Sequence, residues 1–405
     1  MVAGLVLLVF SLATCAERVR FGAEMIVEKH LELLAGKRVG IICNHTSLLP
    51  NGTHLVDTLI SLGVKVTALF GPEHGIRGMS AAGVKVERDF DAKTKLPVYS
   101  LYGKEKKPTP EMLQNVDMLL FDIQDVGARF YTYASTMAYA MEAAAENNKS
   151  FVVLDRPNPV NGIDIEGPVL DSAFKSFVGL FPIPIRHGLT LGELAKMIVG
   201  EKWLGEKSNV DLTVIPMEGW KREMWYNETG LPWIPSSPNM KTLATATVYP
   251  GTCLFEGTNV TEGRGTLKPF EYIGAPWIDA DTFSVKLHQL NIPGVRFEPI
   301  QFIPQADSIA VPNPKYKGVE CGGVFVHITN RTTFQPVHAA LNMLLTILEL
   351  YSDKLQFQPS SFDRLAGTSE FRASLLNDNS NALSDKVEQS LIQYREMRER
   401  YILYK

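Results

Sequence analysis

Cysteine is scarce in this sequence, and long apolar runs are missing. The chain has 4 cysteines in 405 residues, and Cys43, Cys253 and Cys321 are widely spaced with no CxxC pair. Such spacing predicts buried thiols and argues against a disulfide framework or a cysteine-rich metal site. The apolar run at residues 2–10 is too short to span a bilayer as a mature helix.

A basic excess is missing as well. The chain carries 40 Lys and Arg against 44 Asp and Glu, a formal net charge of −4. Proteins that track nucleic-acid backbones present clustered positive charge, so we expect no nucleic-acid partner. The sequence predicts no protein partner either.

The common signatures of nucleotide enzymes and proteases do not occur. The chain has no GxGxxG after its first predicted strand and no GxxxxGK[ST], so it lacks the glycine turn that brings phosphate to backbone N–H groups. It also has no GxSxG and no HExxH, which argues against serine-nucleophile and zinc-protease classes. We expect no cofactor and no metal. A divalent cation held by Asp122, Asp125 and Asp155 is the alternative, although no ligand spacing supports it.

The N-terminal residues 1–16 are predicted to be a signal peptide, because a short apolar stretch precedes an abrupt onset of charge at Glu17. A buried N-terminal strand is the alternative. Residues 12–15, LATC, are similar to a lipoprotein box, so Cys15 is a candidate for a lipid anchor, with simple cleavage after Ala16 as the other possibility. We expect an exported protein, either periplasmic or a membrane-anchored lipoprotein.

Short apolar runs alternate with helical patterns in the first half of the chain. Nearly continuous apolar runs, typical of strands buried on both faces, occur at residues 37–43, 64–70, 116–121 and 151–154. Helix signals follow at residues 109–111, at 135–148 and at a capping box that begins with Thr190. This alternation predicts an α/β fold with a Rossmann-like, doubly wound parallel sheet.

The alternating sequence pattern ends at residues 235–250, where Pro235, Pro238 and Pro250 are expected to break regular structure. The remainder predicts a smaller α+β C-terminal auxiliary domain. Its predicted helices lie near residues 280–290, 338–352 and 384–400, and its predicted strands near 295–303 and 323–329. The predicted organisation is therefore a signal peptide at 1–16, a Rossmann-like domain at 17–245 and an auxiliary domain at 246–405.

Polar side chains follow each of the four predicted strands. Because the carboxyl ends of parallel strands meet at one edge of a sheet, these side chains are expected to line one pocket. Each alone is equally explained by a turn or a helix cap. With Tyr131, Tyr133 and Trp233 as aromatic partners, the set is typical of a carbohydrate site. The polar residues are Asn44 after the first strand, Glu73 and His74 after the second, Asp122, Gln124 and Asp125 after the third, and Asp155 and Arg156 after the fourth.

Several long motifs resemble those of the exo-β-N-acetylmuramidase family, exported bacterial proteins once known only as an uncharacterised domain. The resemblance extends over most of the chain from about Leu33. It implies a Rossmann-like domain, an auxiliary domain, a cleft between them, and release of N-acetylmuramic acid (MurNAc) from the non-reducing end of peptidoglycan-derived MurNAc-GlcNAc saccharides. The motifs are GPEHGIRG at 71–78, FDIQDVGARFYTY at 121–133, LDRPNP at 154–159, PIRHG at 184–188, SSPNM at 236–240 and YPGTCLFEGTNVTEGRGT at 249–266.

Glycoside hydrolysis needs a carboxylic acid that protonates the leaving oxygen and usually a second carboxylate. Glu73 is expected to be the acid, because it follows a strand end and matches the family residue regarded as catalytic. The alternative is that Glu73 caps the next helix. The neighbouring acids at Asp122, Asp125 and Asp155 are expected to raise its pKa by like-charge repulsion.

The second carboxylate is harder to choose from sequence. Asp122 is the first choice, with Glu166 and Glu262 behind it. Substrate-assisted attack by the 2-acetamido group would need no second carboxylate.

MurNAc carries a lactyl carboxylate, so a muramic-specific pocket is expected to hold a guanidinium. The candidates are Arg129, Arg156 and Arg264, followed by Arg77. Each is equally explained as a structural partner of a strand-end Asp.

The other expected substrate contacts lie in the same motifs. His74 and His187 are expected to donate hydrogen bonds, with a cap or core histidine as the alternative. The glycine-rich loop at 257–265 is expected to bring residues of the auxiliary domain into the cleft. The remaining substrate-binding candidates are Asn44, Gln124, Tyr131, Asp155, Glu166, Asn239, Asn259 and Glu262.

Two other functions fit the residues. A non-catalytic module that binds muropeptides or other carbohydrates would use the same cleft, but it would not need Glu73. A nucleotide-dependent oxidoreductase or transferase would use the Rossmann-like half, although the missing glycine fingerprint argues against it.

Overall fold

A computed structural model describes residues 18–73, 75–76, 89–377 and 380–405. The predicted signal peptide with Cys15, and the site candidates His74 and Arg77, lie outside the described residues.

The larger sheet contains six parallel strands and one short antiparallel strand, in the order β3-β4-β2-β1-β5-β6-β7. The four apolar runs of the sequence form β1, β2, β5 and β6, which lie side by side in its centre, so these predictions are confirmed. The strands are β1 Val39–Cys43, β2 Val66–Gly71, β3 Asp89–Phe90, β4 Pro97–Ser100, β5 Met118–Asp122, β6 Ser150–Leu154 and β7 Asp211–Ile215.

Both faces of this sheet are covered by helices, which explains why the apolar runs are continuous. Successive residues of β1 alternate between two hydrophobic clusters: Ile41 packs in the cluster of helices α1 and α2, and Ile42 in the cluster of α3 and α4. This is the doubly wound arrangement that the sequence predicted. These helices are α1 Gly22–Lys29, α2 Leu55–Ser61, α3 Tyr133–Glu146 and α4 Leu191–Gly200.

The capping box before α4 forms as predicted. The Thr190 hydroxyl accepts a hydrogen bond from the Glu193 N–H at 3.2 Å, and the Glu193 carboxylate accepts one from the Thr190 N–H at 3.0 Å. The helix predicted from 109–111 is wrong, since residues 110–115 form turns. Only a few residues separate 109–111 from the start of β5. The segment is therefore too short for a helix to propagate before the strand begins.

The second half contains a three-stranded antiparallel sheet in the order β8-β10-β9, with helices packed on it. This confirms the predicted α+β class of the second half. The elements are α5 Leu243–Thr252, β8 Tyr272–Ala275, α6 Ala280–Gln289, β9 Val295–Phe302, β10 Cys321–Ile328, α7 Pro336–Tyr351, α8 Pro359–Ala366, α9 Glu370–Leu376 and α10 Ser380–Glu399.

Helix α5 corrects one expectation, because Pro250 lies inside it rather than breaking it. Pro250 has no N–H to donate to the carbonyl four residues earlier, so tertiary packing, not local preference, stabilises this turn. The helix packs closely on α7: a Cβ on Gly251 would lie 1.9 Å from the Pro336 carbonyl oxygen. A 3-10 helix, Cys253–Gly257, continues directly from α5 and carries Glu256.

The two halves share one hydrophobic core. The cluster on one face of the large sheet continues into the second half, from Phe121 in β5 to Val324 in β10 and Tyr394 in α10. Cys43, Cys253 and Cys321 are buried, as predicted. No helix in the described parts of the chain combines the length and apolarity needed to cross a membrane.

Candidate active site

A cavity opens at the end of β2, and its walls come from both halves of the chain. It is lined by charged, hydroxyl and aromatic side chains together, which suits a ligand with both polar groups and an apolar face. From the first half, the lining includes Glu73, Tyr102, Phe130, Tyr131, Thr132, Tyr133 and Asn239; from the second, Tyr249, Cys253, Glu256, Arg264 and Phe270.

Glu73 stands on the cavity wall just after β2 and is held there by two hydroxyl groups. The Thr132 hydroxyl donates to its carboxylate at 3.2 Å. The Tyr102 hydroxyl also bonds to it, and burial together with this carboxylate raises the pKa of Tyr102 far above its usual value. Tyr102 therefore stays protonated and able to donate.

Glu256 and Arg264 form an ion pair on the opposite half of the chain, with 2.5 Å between Arg264 Nη2 and Glu256 Oε1. The guanidinium carbon lies 5.1 Å from the centre of the Phe270 ring. Burial lowers the pKa of Arg264, but the carboxylates of Glu256 and Glu262 raise it overall, so its positive charge is secure. Burial raises the pKa of Glu256, against the opposing effect of Arg264.

Tyrosine rings form an aromatic wall of the cavity. The rings of Tyr131 and Tyr133 meet edge to face at 4.8 Å, and Tyr249 meets Tyr131 in the same way at 5.8 Å. The Tyr131 hydroxyl is 2.8 Å from the Ser236 hydroxyl, and the Tyr133 hydroxyl donates to the Ser236 carbonyl at 2.6 Å. The SSPNM motif thus orients these tyrosines. Trp233 packs against Tyr226 instead.

Asp122 does not line the cavity. It is fully buried, and Arg156 donates to both of its carboxylate oxygens, Nε to Oδ1 at 2.6 Å and Nη2 to Oδ2 at 2.9 Å. Arg156 also lies over the Phe21 ring. The structure therefore uses this pair to join the ends of β5 and β6, and it leaves neither group free for a substrate.

Asp125 and Asp155 are likewise absent from the cavity wall. Burial raises the pKa of each to about 7, and each accepts internal hydrogen bonds. Asp125 accepts from the Gly127 N–H at 2.8 Å. Asp155 accepts from the hydroxyls of Thr190 and Tyr404 at 2.7 and 2.5 Å. The three strand-end acids thus hold loops and the C-terminus, not a shared pocket around Glu73.

Arg129 is buried and bonded to three backbone carbonyls. Its guanidinium donates to Pro168 and Ile183 in the first half and to Leu365 in the second, at 2.7, 2.9 and 2.7 Å. Burial lowers its pKa to about 9. Arg129 therefore fastens the two halves together and lies behind the cavity, so Arg264 is the guanidinium among the described candidates that reaches the cavity wall.

The remaining candidates fall into two groups. Tyr131 and Asn239 line the cavity, and the Asn239 amide donates to the Ala310 carbonyl at 2.7 Å. The others do not line the cavity themselves and have internal partners: Asn44 with Thr46, Gln124 with the Asp125 and Pro157 carbonyls, Glu166 with the His338 N–H, Asn259 with the Lys354 carbonyl and the Gln356 N–H, and Glu262 with Lys315 behind Arg264.

His187 is completely buried, and burial lowers its pKa to about 3, so the ring is neutral at physiological pH. Its Nδ1 accepts from the Leu189 N–H at 3.2 Å. A turn-forming core histidine is the interpretation that this geometry favours.

Sequence reasoning missed Tyr102 and Glu256. Glu256 lies within the motif at 249–266, eight positions before Arg264, so the motif itself was the available signal. Nothing around Tyr102 marked it, because its place beside Glu73 depends on how the loop after β4 folds over the end of β2. Within the described residues, no group of three or more His, Cys, Asp or Glu could hold a metal ion.

The family models and the relative that match this chain agree with one another. Family models described as exo-beta-N-acetylmuramidase NamZ, N-terminal and C-terminal, match residues 39–244 and 247–404. The peptidoglycan beta-N-acetylmuramidase NamZ of Bacillus subtilis (strain 168) is 46% identical over 390 residues, covering 96% of this chain and 92% of the relative.

Two solved structures of DUF1343 family proteins from Bacteroides fragilis NCTC 9343 have the same fold. One is 39% identical with a TM-score of 0.88, and the other is 34% identical with a TM-score of 0.77. Each comparison covers 96% of this chain and 99% of the relative.

Proposed function

Since the chain belongs to the NamZ family of exo-β-N-acetylmuramidases and is a glycoside hydrolase, we propose that it releases MurNAc from the non-reducing end of peptidoglycan fragments. The bond cut is the β-1,4 linkage between MurNAc and GlcNAc. The observation that carries the proposal is a single cavity lined by two carboxylates, Glu73 and Glu256, and one guanidinium, Arg264. We take this cavity as the cleft between a catalytic domain at 17–245 and an auxiliary domain at 246–405.

Glu73 is the general acid of the proposed reaction. Its carboxyl group reaches the cavity from the end of β2, where Thr132 and Tyr102 hold it in one orientation. A fixed orientation matters because proton transfer needs the acid within hydrogen-bond reach of the glycosidic oxygen. The other acidic groups at the strand ends are bonded internally and face no substrate.

Glu256 replaces Asp122 as the second carboxylate. Among the acids in the described ranges it shares the cavity wall with Glu73, and it comes from the other half of the chain. A sugar ring bound between them has one carboxylate available for the leaving oxygen and another for the attack on the anomeric carbon, as glycoside hydrolysis requires.

Arg264 binds the lactyl carboxylate that distinguishes MurNAc from GlcNAc. Its planar guanidinium suits bidentate pairing with a carboxylate. The rings of Tyr131, Tyr249 and Phe270 supply the apolar surface against which a pyranose can pack.

The test is hydrolysis of chromogenic β-MurNAc and β-GlcNAc glycosides by the purified chain and by Glu73→Gln. We expect release from the MurNAc glycoside, and a loss of about 10²–10⁴ in kcat for the variant because a positioned acid is removed. Glu166→Gln is the matched control: it makes the same chemical change outside the cavity, and activity should be retained. Binding of MurNAc-GlcNAc without turnover would refute the proposal in favour of a binding module.

We also propose that the chain is exported by a signal within residues 1–16, either with cleavage before Cys15 and lipid attachment to it or with simple cleavage after Ala16. Mass spectrometry of the mature N-terminus distinguishes a diacylglyceryl-modified Cys15 from cleavage after Ala16. An N-terminus that still begins at Met1 would contradict export by this signal.

A further inference from the structure

Glu256, the second carboxylate of the cavity, forms an ion pair with Arg264, the guanidinium that is proposed to bind the lactyl carboxylate of the substrate. Arg264 Nη2 lies 2.5 Å from Glu256 Oε1, and the Cys253 thiol is a further hydrogen-bond partner of the Glu256 carboxylate. A carboxylate stabilised by a cation is a weaker base, because the cation favours its ionised form. Glu256 is therefore a weaker base as long as it is paired with Arg264.

Arg264 has a second anchor that keeps it in place when Glu256 releases it. Its Nε is 3.9 Å from the Glu262 carboxylate, and its guanidinium lies over Phe270. Glu262 is itself fixed by Lys315, whose ammonium is 3.1 Å from Oε2 and also donates to the Phe255 and Val260 carbonyls. An exchange of carboxylates on Arg264 thus requires little movement of the guanidinium.

The other groups around Glu256 cannot replace Arg264 as its counter-ion. Tyr249 and Cys253 have pKa values raised by burial far above the usual range, so both are neutral. Tyr102 is neutral for the same reason. The Lys315 ammonium also favours the ionised form of Glu256, but it donates to the Glu262 carboxylate and not to the carboxylate of Glu256. The remaining charged groups that face this site, Glu73 and Glu262, are acids.

We propose that the lactyl carboxylate of the substrate takes Arg264 from Glu256 and thereby releases Glu256 to act as the base, so that the substrate switches on its own hydrolysis. This inference rests on the proposed function. A water proton passes to Glu256 and the water oxygen bonds to the anomeric carbon. The bond to the leaving oxygen breaks, and that oxygen takes the proton of Glu73. A GlcNAc glycoside carries no carboxylate and leaves Glu256 paired with Arg264, so the preference for MurNAc lies in kcat and not only in KM.

The first test supplies the missing carboxylate separately. Wild-type enzyme is assayed on the chromogenic β-GlcNAc glycoside with added D-lactate, with D-lactamide as the neutral control and sodium chloride at matched ionic strength. We expect D-lactate to raise kcat by about tenfold or more, within the range of general base catalysis, and D-lactamide to have no effect.

The second test removes the positive charge of Arg264 from beside Glu256. R264M should lose its preference for MurNAc, and the acidic limb of kcat on the GlcNAc glycoside should move to higher pH, because loss of the cation makes Glu256 a stronger base. At a pH above this limb, R264M should exceed wild type on the GlcNAc glycoside, and adding E256Q should abolish the gain. R264Q, which also removes the cation, serves as the second variant if R264M is unstable.

The outcomes separate the two proposals. If wild type hydrolyses the MurNAc glycoside, while D-lactate has no effect and the GlcNAc pH profile of R264M or R264Q equals that of wild type, Arg264 only binds and the inference is wrong. If wild type does not hydrolyse the MurNAc glycoside, the proposed function itself is wrong.

Discussion

The Asp122 carboxylate and the Arg156 guanidinium form a bidentate ion pair at the ends of β5 and β6, with Nε–Oδ1 and Nη2–Oδ2 distances of 2.6 and 2.9 Å. The Asp122 side chain is 0% exposed and that of Arg156 is 7% exposed. The sequence predicted Asp122 as the second catalytic carboxylate and Arg156 as a substrate contact. Their burial and mutual satisfaction make them part of the scaffold that positions the cavity.

Asp122→Asn should therefore reduce stability. It leaves the Arg156 charge unpaired in a buried site, which costs about 3–5 kcal/mol. Urea unfolding should show this loss, and kcat of the folded variant should stay within about twofold of wild type. The matched control is Asp117→Asn, which breaks the half-exposed pair with Arg38 and should cost about 0–1 kcal/mol. A selective loss of kcat without loss of stability would return Asp122 to catalysis.

Arg129→Met should weaken the attachment between the halves without changing sugar preference. The substitution leaves the Pro168, Ile183 and Leu365 carbonyls without their donor, and each unsatisfied buried group costs about 1–3 kcal/mol. Thermal unfolding should fall to a lower temperature. The ratio of kcat/KM for MurNAc and GlcNAc glycosides should match wild type; a collapse of that ratio would instead make Arg129 a substrate contact.

Stability should decrease as the pH rises through about 7. Burial raises the pKa of Asp125 and Asp155 to about 7, so the folded chain keeps these protons to a higher pH than the unfolded chain, which releases them near pH 4. Their contribution to the free energy of unfolding is complete below about pH 4 and is lost as the pH rises through about 7.

Urea unfolding of wild type and Asp125→Asn between pH 4 and 8 measures this effect. The Asp125 Oδ1 atom has no hydrogen-bond partner in the described structure, and Oδ2 accepts from Gly127, so asparagine fits and should flatten the pH dependence. The control is Asp279→Asn at the start of α6. Hydrogen bonds from Thr282 lower the pKa of Asp279, so its contribution is lost only as the pH falls below about 4, and the slope of Asp279→Asn between pH 4 and 8 should equal that of wild type. An unchanged slope in Asp125→Asn would refute the assignment.

Tyr102→Phe should lower activity although Tyr102 takes no proton from the substrate. The change removes one of the two hydroxyls that hold Glu73. A hydrogen bond to a charged group contributes about 1.5–3 kcal/mol, so kcat on the MurNAc glycoside should fall by about 10- to 100-fold. Tyr139→Phe is the control from the same region, since its ring stacks on Phe177 and it does not line the cavity. Equal activity of the two variants would argue against positioning by Tyr102.

The central strands, the capped helix α4 and the α+β second half were all predictable from local pattern. Apolar runs, capping boxes and helical periodicity act over a few residues, so the sequence carries them directly. Helix α5 was missed because Pro250 argues against a helix locally, while packing on α7 favours one.

For this chain, the sequence by itself determined the parallel sheet, the position of Glu73 after β2 and the family to which the motifs belong. Only the tertiary structure decided which polar residues meet. Asp122, Asp155 and Arg129 have internal partners far away along the chain, whereas Glu256 and Arg264 share the cavity with Glu73. The physical reason is that a buried charge must be paired or hydrogen-bonded, and the groups available for pairing are set by long-range packing that no local pattern records.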